Sequence, residues 1–175
     1  MSGSNDHIGT DARRYGKATI GEAVSRLREG GLVAVPTETV YGLAADSTDA
    51  AAVAEIYRAK GRPDFNPLIV HVPDLEAART LGQFNELAVR FAAALWPGPL
   101  TLVVPKTENC PVAAAVTAGL DTIALRAPAH PVMRELLKAS GLFLAAPSAN
   151  RSGGISPTTA DHVASSLGPA APLIR

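Results

Sequence analysis

Three hydroxyls, on Thr37, Thr39 and Tyr41, follow directly on the apolar run Leu32-Val33-Ala34-Val35. About twenty residues later Lys60 and Arg62 stand where a helix should end. Hydroxyls suit a small polar molecule. Two cations suit phosphate oxygens, lysine as a point charge and arginine as a bidentate fork. Together the two stretches suggest a pocket for a small polar molecule beside a polyphosphate.

Each feature also has a purely structural explanation. In an extended segment Thr37 and Thr39 present both hydroxyls to one side; in a turn the same threonines bond their own backbone. On the segment alone both readings stand. A helix C-terminus favours cations through its dipole, which by itself accounts for Lys60. Arg62 and Asn66 lie beyond the helix in a proline-flanked loop, where that explanation is weaker.

More polar residues punctuate apolar runs. Arg126 ends Thr122-Ile123-Ala124-Leu125, and an inward-pointing guanidinium there needs a carboxylate, from protein or ligand, because an unpaired buried charge is costly. His71 interrupts Leu68 to Val72; a satisfied core histidine reads the same way. Ser148 and Asn150 sit in a small-residue loop, Pro147 to Gly154, that lets backbone approach a ligand closely. There is no P-loop, no dinucleotide fingerprint and no nucleophile elbow. One cysteine and four scattered histidines offer no zinc site.

The elements that must position these groups alternate. Thr19-Ile20-Gly21-Glu22 reads as a capping box opening a helix that Gly30-Gly31 stop. A strand covers 32–35, and a helix runs from Thr48-Asp49 to Lys60 with Gly61 as terminator. Strand 68–72 follows, then helices 74–81 and 85–96. Strands are expected at 100–104, 122–126 and 142–146, a helix at 131–140 with Pro131 in its first turn, and a last helix from Ser156 to about Leu167. Continuously apolar strands alternating with helices imply an α/β domain, its sheet covered on both faces. Ligands in such sheets sit outside the carboxyl ends of strands, where several of these clusters fall.

Residues 1–16 read as a disordered lead and 17–175 as one domain, long enough for a substantial core. Sixteen basic against sixteen acidic residues argue against a dedicated nucleic-acid binder, though not against a local basic patch. The lone Cys110 excludes an internal disulfide, and no signal-peptide core or spanning apolar run occurs, so a cytoplasmic location is expected.

As an ordered set, VPTETVYGLAAD (35–46), KGRPDFNPLIVHV (60–72), WPGPLTLV (96–103), DTIALRAP (121–128) and PSANRSGGISPT (147–158) resemble the YrdC-like threonylcarbamoyl-AMP synthases. The resemblance spans roughly residues 20–165. It implies a twisted, open, mixed α/β sheet with helices on both faces around a concave cavity. It implies that L-threonine, bicarbonate and ATP become L-threonylcarbamoyladenylate and pyrophosphate, toward N6-threonylcarbamoyladenosine at tRNA position 37, with partner proteins completing the transfer to tRNA. Carried over by motif, Thr39, His71 and Arg126 line the L-threonine site, with Thr37 and Tyr41 as the wall between it and the nucleotide. Lys60, Arg62, Asn66, Thr122, Ser148, Asn150 and Ser156 surround ATP, with Lys60 and Arg62 in the catalytic role. No protein metal cage is expected; magnesium arrives held mainly by ATP. The resemblance further implies that relatives continue past the position of Arg175, with a strand beside the nucleotide and, in longer members, a second domain, so the chain reads as C-terminally truncated. The alternatives are an RNA-binding module or inactive fragment of the same fold, and a carbamoyl-adenylating domain of a larger carbamoyltransferase.

Overall fold

The computed structural model describes residues 20–63, 66–168 and 173–174. The expected disordered lead and the Thr19 cap lie outside the described residues. The chain order is α1 (Ile20–Arg28), β1 (Val33–Val35), β2 (Gly42–Asp46), α2 (Ala50–Lys60), β3 (Ile69–His71), α3 (Leu75–Arg79), α4 (Glu86–Leu95), β4 (Leu102–Pro105), a 3-10 turn (Ala114–Thr117), β5 (Thr122–Arg126), α5 (Pro131–Ser140), β6 (Leu144–Ala145), α6 (Ala160–Leu167) and β7 (Leu173–Ile174).

Local chemistry sets most boundaries. The Asp49 carboxylate accepts from Ala51 N and Ala52 N to open α2. Gly61, at φ 57°, closes α2 in the left-handed region, with Arg62 N donating back to Tyr57 O at 3.0 Å. Asn85 caps α4 by accepting from Ala88 N at 2.8 Å. Pro131 occupies the first turn of α5.

The seven strands form one mixed sheet in the order β4-β5-β3-β6-β2-β1-β7. Parallel pairs are β3–β5 and β1–β7; β1–β2, β2–β6, β3–β6 and β4–β5 are antiparallel. Three elements go beyond the sequence reading. β2, the 3-10 turn and β7 were not expected. The last helix starts at Ala160 rather than Ser156, because the Thr159 hydroxyl supplies its cap by accepting from His162 N at 3.2 Å.

Strand register sorts the core into two faces. Ala34, Leu43, Val70, Ala145, Ile123 and Leu125 point to one face, where α2, α3, the 3-10 turn and α6 cover them. Val33, Val35, Ala44 and Leu144 point to the other, where, among the described residues, α1 and α5 pack. That pair covers β1, β2 and β6. It leaves the same face of β3, β5 and β4 open: Ile69, Thr122, Ala124 and Arg126 are partly exposed there, and Val103 is 66% exposed.

Candidate functional site

His71 and Arg126 are register partners at the carboxyl ends of the parallel strands β3 and β5. His71 also pairs with Leu144, which faces the α1/α5 side, so both side chains leave the sheet on the open face. His71 is 2% exposed and its Nδ1 has no hydrogen-bond partner. Burial, reinforced by the Arg126 charge, pushes its pKa down to about 4, against opposing hydrogen bonds to the Leu144 and Ile69 backbone. The imidazole is therefore neutral at pH 7.

Arg126 is half-buried and donates from Nε to Thr101 Oγ1 at 2.9 Å. Burial lowers its pKa, while the Glu38 charge opposes that shift. No carboxylate among the described residues comes within ion-pair distance of it. The fork of Nη donors is thus aimed at the open face with no acidic partner in contact.

The segment 36–41 is a turn rather than an extended strand. Thr37 Oγ1 donates to Val40 O at 2.6 Å and accepts from Thr39 N and Val40 N at 3.2 and 3.3 Å. The backbone-bonding explanation therefore holds for Thr37. Its proton is committed, so in the 3.0 Å contact between the two hydroxyls Thr39 is the donor. Thr39 is exposed. Tyr41 packs against the core cluster, and its backbone accepts from Ala149 N and donates to Pro157 O, both at 2.8 Å. Those bonds, with the Gly42–Ser148 bridge, stitch the turn to the loop after β6.

Lys60 is buried at the end of α2, and its ammonium donates to Ser148 O and to Asn150 O, the latter at 2.5 Å. Two of its three protons fix the loop, leaving one for a ligand. Burial, joined by the Arg62 charge, pushes its pKa down to about 8. Arg62 donates from Nη2 to Pro67 O at 3.2 Å, and its Nε is buried without a partner. Tyr57 Oη lies 2.8 Å from Asn66 O and 2.9 Å from Ala115 O, which ties Asn66 to the 3-10 turn. The Asn150 amide donates to Arg151 O and Gly154 O, while its Oδ1 is buried and unpartnered. Ser148 and Thr122 are partly exposed and Ser156 is exposed.

The expectation that these groups meet at one set of carboxyl ends is corrected by topology. β1 and β6 run opposite to β3 and β5. The 36–41 turn, Ser148 and Asn150 therefore share the edge where β5 begins at Thr122, whereas His71 and Arg126 occupy the far edge. β3 has three residues, so the two edges are only roughly 10 Å apart. The candidate residues therefore lie at two edges of the sheet rather than at one rim.

Glu38 joins the edges and was missed in the sequence reading. Its Oε2 accepts from His130 N, the N-cap of α5, at 3.4 Å, and its Oε1 is buried with no partner. The available signal was the need of Arg126 for a carboxylate, with Glu38 standing between the two threonines. Among the described residues the buried side-chain polar atoms lacking partners belong to Glu38, Arg62, His71 and Asn150. Such orphans are rare in folded proteins, and an ordered water or a bound molecule can complete their bonding. A separate cavity of about 560 Å³ lies between α5 and the β3–α3 connection, lined by Asp74, Arg134, Lys138 and Phe143 among others. It contains none of these residues, and its charged groups are exposed to water, where they are weak.

Fold and site define an α/β domain whose sheet is half uncovered on one face, with Arg126 and His71 on that face. The family model Sua5_yciO_yrdC, described as "Telomere recombination", matches residues 25–174, and the chain belongs to that family. It is 52% identical over 143 residues to a threonylcarbamoyl-AMP synthase of Pyrococcus abyssi, covering 81% of this chain and 42% of that protein. It is 48% identical over 159 residues to the Bacillus subtilis threonylcarbamoyl-AMP synthase, covering 90% and 46%. The solved structure of P. abyssi Sua5 complexed with L-threonine superposes with a TM-score of 0.86 at 47% identity, over 93% of this chain and 47% of that one. The chain thus spans about half the length of these relatives.

Proposed function

We propose that this chain carries the L-threonylcarbamoyladenylate synthase site, joining L-threonine, bicarbonate and ATP and releasing pyrophosphate, the first step toward threonylcarbamoyladenosine in tRNA. The observation that carries this reading is the half-buried fork of Arg126, with no carboxylate in ion-pair contact among the described residues, beside a neutral His71. In it an amino-acid carboxylate finds a cation, and a substrate hydroxyl finds an uncharged hydrogen-bonding partner. At the opposite edge Lys60, Arg62, Ser148, Asn150 and Thr122 suit a triphosphate, and Ser156 extends that edge.

In this reading Arg126, His71 and Thr39 orient threonine, with Thr37 and Tyr41 shaping the wall. Threonine's neutral amine attacks the carbon of bicarbonate, whose hydroxyl leaves as water with a proton from the amine, and a carbamate remains. A carbamate oxygen then attacks the α-phosphorus, and pyrophosphate leaves toward Lys60 and Arg62. Every reactant is anionic, so fixed cations and aligned donors provide most of the acceleration. Magnesium would neutralise phosphate charge when bound. The residues at that edge are two cations, three hydroxyls and an amide, which suit phosphate oxygens rather than a hard cation, so the ion is proposed to travel with ATP. No helix among the described residues is long and apolar enough to cross a membrane; a cytoplasmic location is part of the proposal.

The test is pyrophosphate release with ATP, magnesium and bicarbonate, each amino acid supplied in turn. Release that depends on L-threonine supports the proposal, and its absence together with undetectable threonine binding refutes it. Release with carbamoyl phosphate in place of threonine and bicarbonate would assign a carbamoyl-adenylating domain instead. The RNA-binding alternative would rest on Arg58, Lys60 and Arg62; of these Arg58 is paired with Glu55 through its Nε and Nη2.

A further inference from the structure

We propose that Glu38 reads the ammonium group of the amino acid whose carboxylate Arg126 takes, so that the two residues together select a zwitterion. The inference deepens the threonine reading above and rests on it.

An α-amino acid carries its opposite charges one carbon apart. A site that selects it must hold an anion and a cation near each other without letting them collapse into a protein salt bridge. Glu38 and Arg126 meet that condition. They are close enough for the glutamate charge to act on the guanidinium, yet no ion-pair contact forms between them. Each is restrained from its own side. Thr101 Oγ1 holds Arg126 by Nε, which leaves its Nη fork for a carboxylate. Glu38 is set in the turn that Thr37 closes through Val40 O, Thr39 N and Val40 N.

The glutamate's hydrogen bonding points the same way. Oε1 is buried and has no partner, a costly state for a carboxylate oxygen. Oε2 has one contact, to His130 N at 3.4 Å, a long bond that is easily surrendered. Turning the carboxylate toward the open face therefore gives up little and gains an ammonium donor. Two restrained opposite charges, one with an orphaned oxygen and the other with an open fork, form a receptor for a molecule that is itself a pair of charges.

The experiment is calorimetric titration of the full chain with L-threonine and with 2,3-dihydroxybutanoate, the same skeleton with a hydroxyl replacing the amine. The unmodified protein is expected to prefer threonine by about ten- to a hundredfold, the worth of one charge-assisted hydrogen bond. Glu38→Gln, folded by its thermal melt, is expected to lose most of that preference while its affinity for the hydroxy acid changes less than about twofold. Glu38→Asp keeps the charge and is expected to retain part of the preference; it serves as the second variant where the glutamine chain folds poorly. An unchanged preference in Glu38→Gln, or an equal loss for both ligands, overturns the inference and leaves the threonine reading intact. Failure of the unmodified protein to bind either ligand overturns the threonine reading itself.

Discussion

Acidification acts on His71 before it acts on most of the fold. The imidazole is 2% exposed, pairs in register with Arg126 and is held down to a pKa of about 4. In the unfolded chain the same group titrates near 6.5. Between those values the unfolded chain takes up a proton that the folded chain refuses. The stability His71 contributes is therefore complete above pH 6.5, falls as pH drops toward 4, and is exhausted below that. At about 1.4 kcal/mol per pKa unit the loss is about 3 kcal/mol, a large share of a typical domain's ~5–15 kcal/mol. Urea unfolding followed by fluorescence of Trp96, the single tryptophan, measures it between pH 8 and pH 4. His71→Gln is the reference, because it keeps a polar group and removes the titration. The stability difference between the parent and His71→Gln should move by about 3 kcal/mol against the parent over that range. Arg126→Met removes the neighbouring charge and should shrink the loss and narrow its window. A difference that stays flat with pH would refute the reasoning, since it would mean that the imidazole is solvated or paired.

Arg126→Ala should weaken L-threonine binding by about 2–5 kcal/mol and ATP binding much less, read by titration with each ligand; equal losses would indicate damage to the fold. Thr37→Val should destabilise the protein by about 1–3 kcal/mol through the broken turn, whereas Thr39→Val should leave the melting temperature nearly unchanged and lower threonine affinity. Lys60→Met orphans the carbonyls of Ser148 and Asn150 and should abolish measurable ATP binding. In the parent, ATP affinity should decline as pH rises past about 8, where the ammonium loses its charge, and titrations at pH 7 and pH 9 test the sign.

Much of the architecture could be read before folding. Asp49, Gly61, Asn85 and Pro131 announce helix ends through bonds made within a few residues, and those boundaries stand within a residue or so. β2 could not be read that way. Its sequence, Gly-Leu-Ala-Ala-Asp, has weak strand propensity, and it is a strand because it lies between β1 and β6 with Leu43, Ala44 and Ala45 fully buried. Small residues are needed there: a side-chain carbon on Gly42 would come within 3.3 Å of Ala146 Cβ. Ser156 resembles a helix start, but Tyr41 N takes the Pro157 carbonyl, and the helix begins at the next hydroxyl that can cap it, Thr159.

By itself, the sequence determined which chemistries are on offer: the hydroxyl turn, the cations past α2, the arginine ending β5 and the small-residue loop. These are local facts of residue type and spacing. Tertiary structure alone decided how they meet. Strand direction puts the loop after β6 and the arginine of β5 at opposite edges. The limited reach of α1 and α5 leaves the face between those edges uncovered. A contact across 92 residues brings Glu38 to His130, near enough for its charge to act on Arg126. Charge pairing and burial depend on separation in space, and no spacing along the chain encodes that until the sheet has formed.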